Sequence, residues 1–152
     1  MATKTGGCLC GAVRFELAIA PTTYGACHCG MCRKFSGGIE LGLEVPPGGV
    51  TWTGEDNIGV FKSSRWAERG FCKTCGSSLF WRLTAPGPMH GLLSLSAGAL
   101  DSMDGLTFAS EVYIDNKPAS HAFAGTDRKQ MTEADVMAMV AAFDKPDDGQ
   151  PA

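Results

Sequence analysis

Alternation of apolar and polar positions recurs along this chain and predicts a protein built mainly of short strands. In residues 13–17, Val13, Phe15 and Leu17 alternate with Arg14 and Glu16, which is the period of a strand with one buried face. The same alternation runs through residues 39–45. Shorter runs bounded by glycine, proline or serine predict further strands at residues 50–53, 58–63, 78–83, 92–96 and 111–114.

One helix is predicted, close to the C-terminal end of the sequence. Thr132 can cap it, and Asp135 completes a version of the capping box. Apolar residues then recur at helical spacing and predict one buried face: Val136, Met139, Val140 and Phe143. We therefore predict a mainly β single domain over residues 1–143, with a flexible tail over residues 144–152.

Composition narrows the classes of function. The chain has 152 residues and a net charge of -3, and its runs of Lys and Arg do not exceed two residues. This balance does not favour binding to nucleic acid or to an anionic membrane. The first seven residues lack a signal-peptide core, and no apolar run reaches the about 18 residues of a spanning helix. We therefore expect a cytoplasmic protein, and the sequence leaves its oligomeric state open.

Seven cysteines are the unusual feature of the composition. An odd number of cysteines in a reducing compartment does not fit a disulfide framework, and isolated buried thiols would not be clustered. Cysteines at short spacing are typical of zinc ligands, so we predict metal binding. The cysteines fall into three tight groups: Cys8 and Cys10; Cys27, Cys29 and Cys32; Cys72 and Cys75.

Counting ligands assigns four of the seven thiols to a closed zinc site. Cys8 and Cys10 can combine with Cys72 and Cys75 to fill a tetrahedron, which leaves no room for a substrate. We interpret this site as structural, because it ties the first strand to the middle of the chain. Gly76 follows directly and is expected to allow the tight turn of a metal-binding knuckle.

Cys27, Cys29 and Cys32 remain for a second ion. Three protein thiolates leave one position for water or substrate, as in catalytic zinc sites. Two alternatives stay open at this point. His28 lies among these cysteines and is a rival fourth ligand, or a distant His or Asp completes a second structural site.

A basic pair, Arg33 and Lys34, follows the second cysteine group directly. Three thiolates and one Zn²⁺ carry a formal charge of about −1, so a neighbouring cation can offset that charge or hold an anionic substrate. We therefore predict these two side chains as substrate-binding residues. The alternative is that both are simply solvated, as basic side chains usually are.

Taken together, these motifs resemble the glutathione-dependent formaldehyde-activating enzyme family, also called the centromere-protein-V-like family. The resemblance runs from about residue 5 to about residue 123. It is carried by residues 7–15 (GCLCGAVRF), 27–34 (CHCGMCRK), 36–38 (SGG) and 69–79 (RGFCKTCGSSL). It implies an antiparallel zinc-binding β-tent fold. It also implies two zinc ions per chain, with the same structural and catalytic cysteines that ligand counting assigns.

The resemblance further implies a carbon–sulfur lyase. The family's activity adds glutathione to formaldehyde and is classed by the reverse reaction, so the expected partners are a small thiol and a small aldehyde. One alternative is a non-catalytic zinc protein that binds glutathione or a protein partner. A nucleic-acid or cytoskeletal binder is disfavoured by the acidic balance, and we interpret oxidation of the three-cysteine group as damage more than function.

Overall fold

Residues 3–141 are described in this computed structural model, and they form eleven strands and two helices joined by turns. The helices are α1 (Gly30–Ser36) and α2 (Glu133–Val140). Neither of these two helices is long and apolar enough to cross a membrane. The strands, in chain order, are β1 (Thr5–Gly7), β2 (Arg14–Leu17), β3 (Thr23–Cys27), β4 (Glu40–Val45), β5 (Val50–Thr53), β6 (Ile58–Lys62), β7 (Ala67–Cys72), β8 (Ser78–Leu83), β9 (Leu93–Ser96), β10 (Thr107–Val112) and β11 (Lys129–Met131).

Within this part of the chain the strands form two sheets, one ordered β1-β2-β5 and one ordered β11-β10-β3-β4-β9-β8-β7-β6. In the large sheet, neighbours from β3 to β6 are antiparallel. By contrast, β10 lies parallel to both β3 and β11. The predicted mainly β fold with a helix near the C-terminus is therefore confirmed, and it includes two parallel pairs that alternation along the sequence does not reveal.

One buried cluster of apolar side chains joins the two sheets. Its aromatic part runs from Phe15 on β2 through Trp52 on β5 to Phe80 on β8, with ring centroids 5.6 and 5.5 Å apart. Such edge and tilted contacts add to the hydrophobic burial of the rings. Cys8 and Cys72 belong to the same cluster. Two of the predicted metal ligands are therefore anchored on the core.

Six of the seven predicted strands agree with the structure to within two residues, namely β2, β4, β5, β6, β8 and β9. The seventh is displaced, because β10 ends at Val112 and a 3-10 turn, Ile114–Asn116, follows it. Tyr113 between them has φ 57°, a value that side-chain-bearing residues seldom adopt. The strands β1, β3, β7 and β11 were not predicted, since their sequences lack a regular alternation of apolar and polar residues.

The C-terminal helix begins where the sequence places it. Thr132 Oγ1 accepts a hydrogen bond from the Asp135 N–H at 3.2 Å, and the Asp135 carboxylate accepts one from the Thr132 N–H at 2.8 Å. Val140 is buried, but Met139 is 60% exposed, so the apolar face is narrower than predicted. The predicted member Phe143 and the predicted tail lie outside the described residues.

A second helix, α1, was not predicted. Cys29 caps it, with its sulfur accepting a hydrogen bond from the Cys32 N–H at 3.3 Å. Gly37 ends it with φ 81°, the left-handed conformation typical of a helix C-terminus. The segment was missed because its seven residues carry no apolar stripe, and their helical turn is set by the cysteine cap.

A buried ion network joins β10 and β11 to the loop after β3. The Glu111 carboxylate, 2% exposed, accepts hydrogen bonds from His28 Nε2 at 2.8 Å, Arg128 Nε at 2.5 Å and Gln130 Nε2 at 3.1 Å. Burial alone would raise the pKa of Glu111, but these hydrogen bonds outweigh it and lower the pKa to about 2. The carboxylate is therefore charged at neutral pH and holds the loop that carries the second cysteine group.

We expect Glu111→Gln to lower the free energy of unfolding at pH 7 by about 3–5 kcal/mol, because the buried Arg128 guanidinium loses its counter-charge. Chemical denaturation of the metal-loaded protein, followed by circular dichroism, measures this change. The pKa of Glu111 is lowered from 4.5 to about 2 in the folded state. Its contribution to stability is therefore complete above pH 4.5 and is lost as the pH falls toward 2.

Glu16→Gln is the matched control, because Glu16 is exposed on β2. This substitution should change the free energy of unfolding by less than about 0.5 kcal/mol. A loss of under about 1 kcal/mol in Glu111→Gln would show that the network contributes little net stability.

Candidate metal centres

Four thiols from distant parts of the chain meet beside the core. Cys8 and Cys10 lie in the turn after β1, and Cys72 and Cys75 lie at the end of β7 and in the turn that follows. The Cys10 sulfur is 3.6 Å from that of Cys8 and 3.8 Å from that of Cys72, and all four lie within 4.8 Å of one another. Gly76 has φ 77°, the positive value predicted for the knuckle turn.

Backbone and hydroxyl donors point at these sulfurs. The N–H of Val13 donates to the Cys8 sulfur at 3.2 Å, and the N–H of Cys75 donates to the Cys72 sulfur at 3.5 Å. The Ser77 hydroxyl, 3.2 Å from the Cys75 sulfur, lowers the pKa of that thiol to about 5. Such donors favour the thiolate form, which is the form that binds metal.

The donor set of this four-cysteine cluster fits a tetrahedral metal ion. A tetrahedron with metal–sulfur bonds of about 2.3 Å places its sulfurs about 3.8 Å apart. The measured separations of 3.6 and 3.8 Å agree with this value, and the four cysteines are not in disulfides. The cluster can therefore hold a metal ion, and its four thiolates would fill the coordination shell.

The second cluster lies at the connection between β3 and α1. Cys27 ends the strand, Cys29 caps the helix, and Cys32 lies in its first turn. The three sulfurs lie within 4.8 Å of one another, and no His, Asp or Glu of residues 3–141 joins them. Hydrogen bonds from the Cys27 and Cys32 thiols lower the pKa of Cys29 and favour its thiolate form. This three-cysteine cluster can therefore hold a metal ion with three donors.

A buried arginine contacts the three-cysteine cluster from β7. Arg69 is 5% exposed, and its Nη1 and Nη2 atoms each lie 3.6 Å from the Cys32 sulfur. Its guanidinium carbon lies 5.4 Å from the centre of the Phe35 ring. A charged side chain is rarely buried without a partner, and here the sulfur supplies it. Arg69 therefore brings one positive charge to a cluster of three thiols.

A cavity of about 760 Å³ lies next to the three-cysteine cluster, and Cys27, Cys29 and Cys32 all line it. This volume falls within the range of small-molecule binding sites, about 300–1,000 Å³. Its walls come from β3, β4, β8, β9, the end of β10 and α2. The other four cysteines do not line it. The two clusters therefore differ in access as well as in the number of donors.

His28 is not a member of the three-cysteine cluster. Its ring is buried, and Nε2 forms a hydrogen bond with Glu111 Oε1 at 2.8 Å. Because the ionised carboxylate can only accept, the ring proton lies on Nε2. Nδ1 is buried without a hydrogen-bond partner among the described residues. Of the alternatives that the sequence left open, ligation by His28 is therefore not supported by the geometry.

The two residues of the predicted basic pair, Arg33 and Lys34, have different positions relative to the cavity. Lys34 lines the cavity, whereas Arg33 is exposed and does not line it. Successive residues of a helix point in directions about 100° apart, and here only Lys34 of the pair points into the cavity wall. Of the two, Lys34 has the position of a substrate-binding residue.

Two further groups in the cavity wall can carry a proton. The Glu40 carboxylate accepts a hydrogen bond from the Ser96 hydroxyl at 2.7 Å, and its burial raises the pKa above the ordinary value. Burial also raises the pKa of Tyr113 to about 12, so the phenol keeps its proton. Both residues line the cavity beside the cysteines.

Arg69, Glu40 and Tyr113 were not identified from the sequence. Arg69 lies three residues before Cys72, and the sequence alone does not show that this arginine is buried and therefore requires a partner. Glu40 and Glu44 form the polar face of β4, which the alternation leaves for solvent, and in the structure both line the cavity. A polar strand face does not by itself distinguish bulk water from an internal cavity.

Comparison with known proteins places this architecture in a family. Residues 3–116 match the sequence model of the family described as glutathione-dependent formaldehyde-activating enzyme. An uncharacterised lyase of Schizosaccharomyces pombe is 31% identical over 120 residues, which are 78% of this chain and 84% of the relative. A Halomonas elongata protein, provisionally named a glutathione-dependent formaldehyde-activating enzyme, is 30% identical over 83 residues, 49% of this chain and 53% of that protein.

A solved structure shares the fold. The crystal structure of a Rhodobacter sphaeroides protein matches with a TM-score of 0.53 at 21% identity, over 66% of this chain and 90% of that one. At this identity the match supports the fold alone. The family match, by contrast, covers most of the chain, and the yeast relative is matched over most of its length. The chain therefore belongs to the glutathione-dependent formaldehyde-activating enzyme family.

Proposed function

We propose that this protein is a zinc-dependent enzyme that joins a small thiol such as glutathione to a small aldehyde such as formaldehyde. In the reverse direction this is a carbon–sulfur lyase reaction. The names of the family and of two relatives support chemistry of this class. The observation that carries the proposal is that the three-cysteine cluster opens on a cavity of about 760 Å³, whereas the four-cysteine cluster does not.

Zinc is the ion that suits both clusters. Soft thiolate ligands in tetrahedral arrangement favour Zn²⁺ or iron–sulfur clusters, and Zn²⁺ binds as a single ion that requires no inorganic sulfide. The four-cysteine cluster would hold a structural ion. The residues Cys27, Cys29 and Cys32 would hold a catalytic ion, which lowers the pKa of a thiol sharing its coordination shell.

The chain's own side chains would balance the charge of the thiolates, orient the substrate and surround the reacting atoms. Arg69 offsets the negative charge of the three thiolates from a buried position, where its attraction is weakly screened. Lys34 in the cavity wall can pair with a carboxylate of glutathione. The apolar side chains of the cavity wall leave the reacting atoms less exposed to bulk water than they would be on an open surface. The carbon–sulfur bond forms as the carbonyl π electrons move to oxygen, and the thiol proton ends on that oxygen.

The number of zinc ions per chain tests the division between the clusters. Wild-type protein should contain two zinc ions, and Cys29→Ser should retain one with nearly unchanged thermal stability. Cys10→Ser should lose stability, because the four-cysteine site ties the first turn to residues 72–75. Elemental analysis with thermal unfolding measures both properties. Two ions in Cys29→Ser would contradict the assignment of the second site.

Turnover distinguishes an enzyme from a protein that only binds glutathione. Exchange NMR can measure how fast glutathione and formaldehyde combine, with and without protein. We expect the zinc-loaded wild type to exceed the spontaneous rate and Cys29→Ser to match it. Thiols and aldehydes combine without help, so we expect a modest acceleration. Binding of glutathione by the wild type at the spontaneous rate would show a binding protein instead.

The affinity of the second site for zinc should depend on Arg69. We expect Arg69→Met to weaken zinc binding at the three-cysteine cluster about 10–100-fold, as loss of an outer-sphere partner typically does. Competition with a chromophoric chelator measures the affinity of each site. Arg69→Lys should recover part of the loss, because it restores the charge without the two parallel contacts.

Arg33→Met provides the comparison in the same assay. Its side chain is exposed, so solvent screens its charge and the affinity should change less than about twofold. Equal losses in Arg33→Met and Arg69→Met would mean that the general charge of the segment, rather than the buried contact, sets the affinity.

A further inference from the structure

The C-terminal helix α2 forms one wall of the cavity over the three-cysteine cluster. Val136 and Val140 line the cavity from this helix, together with Glu133 at its first turn. The helix lies beyond residue 116, where the match to the family ends. This wall is therefore contributed by a segment outside the shared family region.

Specific contacts hold α2 against the end of β10. The N–H of Glu133 donates to the Asp115 carboxylate at 2.9 Å, and the Asn116 side-chain amide donates to the Glu133 carboxylate at 3.3 Å. The Tyr113 hydroxyl lies 3.8 Å from the Met137 sulfur. The helix position is therefore defined by the same turn that carries Tyr113 into the cavity wall.

The rest of the cavity lining is rich in large apolar groups. The rings of Trp66 and Trp81 meet edge to face with centroids 5.8 Å apart. Bringing an apolar ligand against such surfaces removes them from water and favours binding in proportion to the buried area. The large apolar side chains that line the cavity include Phe35, Trp66, Phe80, Trp81, Leu92 and Leu93.

The size of the cavity exceeds the needs of the smallest aldehyde. Formaldehyde has two non-hydrogen atoms, whereas a volume of about 760 Å³ accommodates a drug-sized molecule. Glutathione is polar, and the ionisable side chains of the cavity wall that could pair with its charges are few: Lys34, Glu40, Glu44 and Glu133, with Arg69 already bound to Cys32. The apolar walls therefore have no counterpart in the adduct of glutathione and formaldehyde.

We propose that this cavity selects thiol–aldehyde adducts whose aldehyde carries a bulky apolar substituent, and that α2 supplies part of the wall that recognises it. This inference rests on the proposed function, since it names the substrate class of the same site. The reaction is the same as the one proposed above: the sulfur bonds to the carbonyl carbon as the carbonyl π electrons move to the oxygen, and the thiol proton ends on that oxygen. The apolar substituent lies between Val136 and the tryptophans.

Unreactive thioethers of glutathione test the recognition apart from the chemistry. We expect S-hexylglutathione to bind the zinc-loaded protein at least tenfold more tightly than S-methylglutathione, because it buries several more methylene groups. Isothermal titration measures both affinities. Equal affinities, or tighter binding of S-methylglutathione, would overturn the inference.

Substitutions at two positions of α2, one that lines the cavity and one that does not, test the role of the helix. Val136→Asp places a charge in the wall and should abolish the preference for S-hexylglutathione. Met139→Asp is the matched control, because Met139 is 60% exposed on the same helix and does not line the cavity. Val136→Ala is a milder change that should reduce the preference about threefold or more. Unchanged preference in both Val136 variants, with circular dichroism like that of the wild type, would overturn the role of α2.

The rates of reaction with three aldehydes distinguish a failure of this inference from a failure of the proposed function on which it rests. Glutathione combined with formaldehyde, hexanal or phenylacetaldehyde gives three rates relative to the spontaneous reactions. Greater acceleration for the two larger aldehydes supports the inference. Acceleration for formaldehyde alone overturns the inference and leaves the proposed function standing. No acceleration for any aldehyde, with S-hexylglutathione still bound preferentially, overturns the function and retains the apolar recognition site.

Discussion

Repulsion between neighbouring thiolates is the constraint on which the structure depends. Two thiolates 3.8 Å apart, the distance between Cys10 and Cys72, repel by about 4 kcal/mol at an effective dielectric constant of about 20. The fold brings four such groups together beside its core and three more beside a cavity. A bound cation converts this repulsion into attraction, so the ends of β1 and β7 become joined through sulfur.

The two clusters resolve this constraint in different ways. In the four-cysteine cluster the donors are enough to surround an ion, and amide and hydroxyl groups stabilise the sulfurs. In the three-cysteine cluster the buried Arg69 adds a positive charge, and the Glu111 network holds the intervening loop. The second cluster keeps an open side because the fold places a cavity there. The two sets of thiols therefore differ in the number of donors and in access to the cavity.

The cavity depends on contacts between elements distant in sequence. Its cysteines come from β3 and α1, its arginine from β7, and its outer wall from α2. The strand β10 connects these parts, because it lies parallel to β3 and ends at the turn on which α2 rests. The polar face of β4, which alternation alone assigns to solvent, becomes part of the cavity wall.

The local sequence pattern determined those features of the structure that depend on residues close together in the chain. It correctly predicted six strands, the Thr132 cap, the turn at Gly76 and the three cysteine groups, because period, capping and ligand spacing act over a few residues. Tertiary structure alone decided that Arg69 contacts Cys32, that His28 turns to Glu111 and that α2 borders the cavity. Each of these contacts depends on strand pairing and register across many residues, which side-chain periodicity within one segment does not specify.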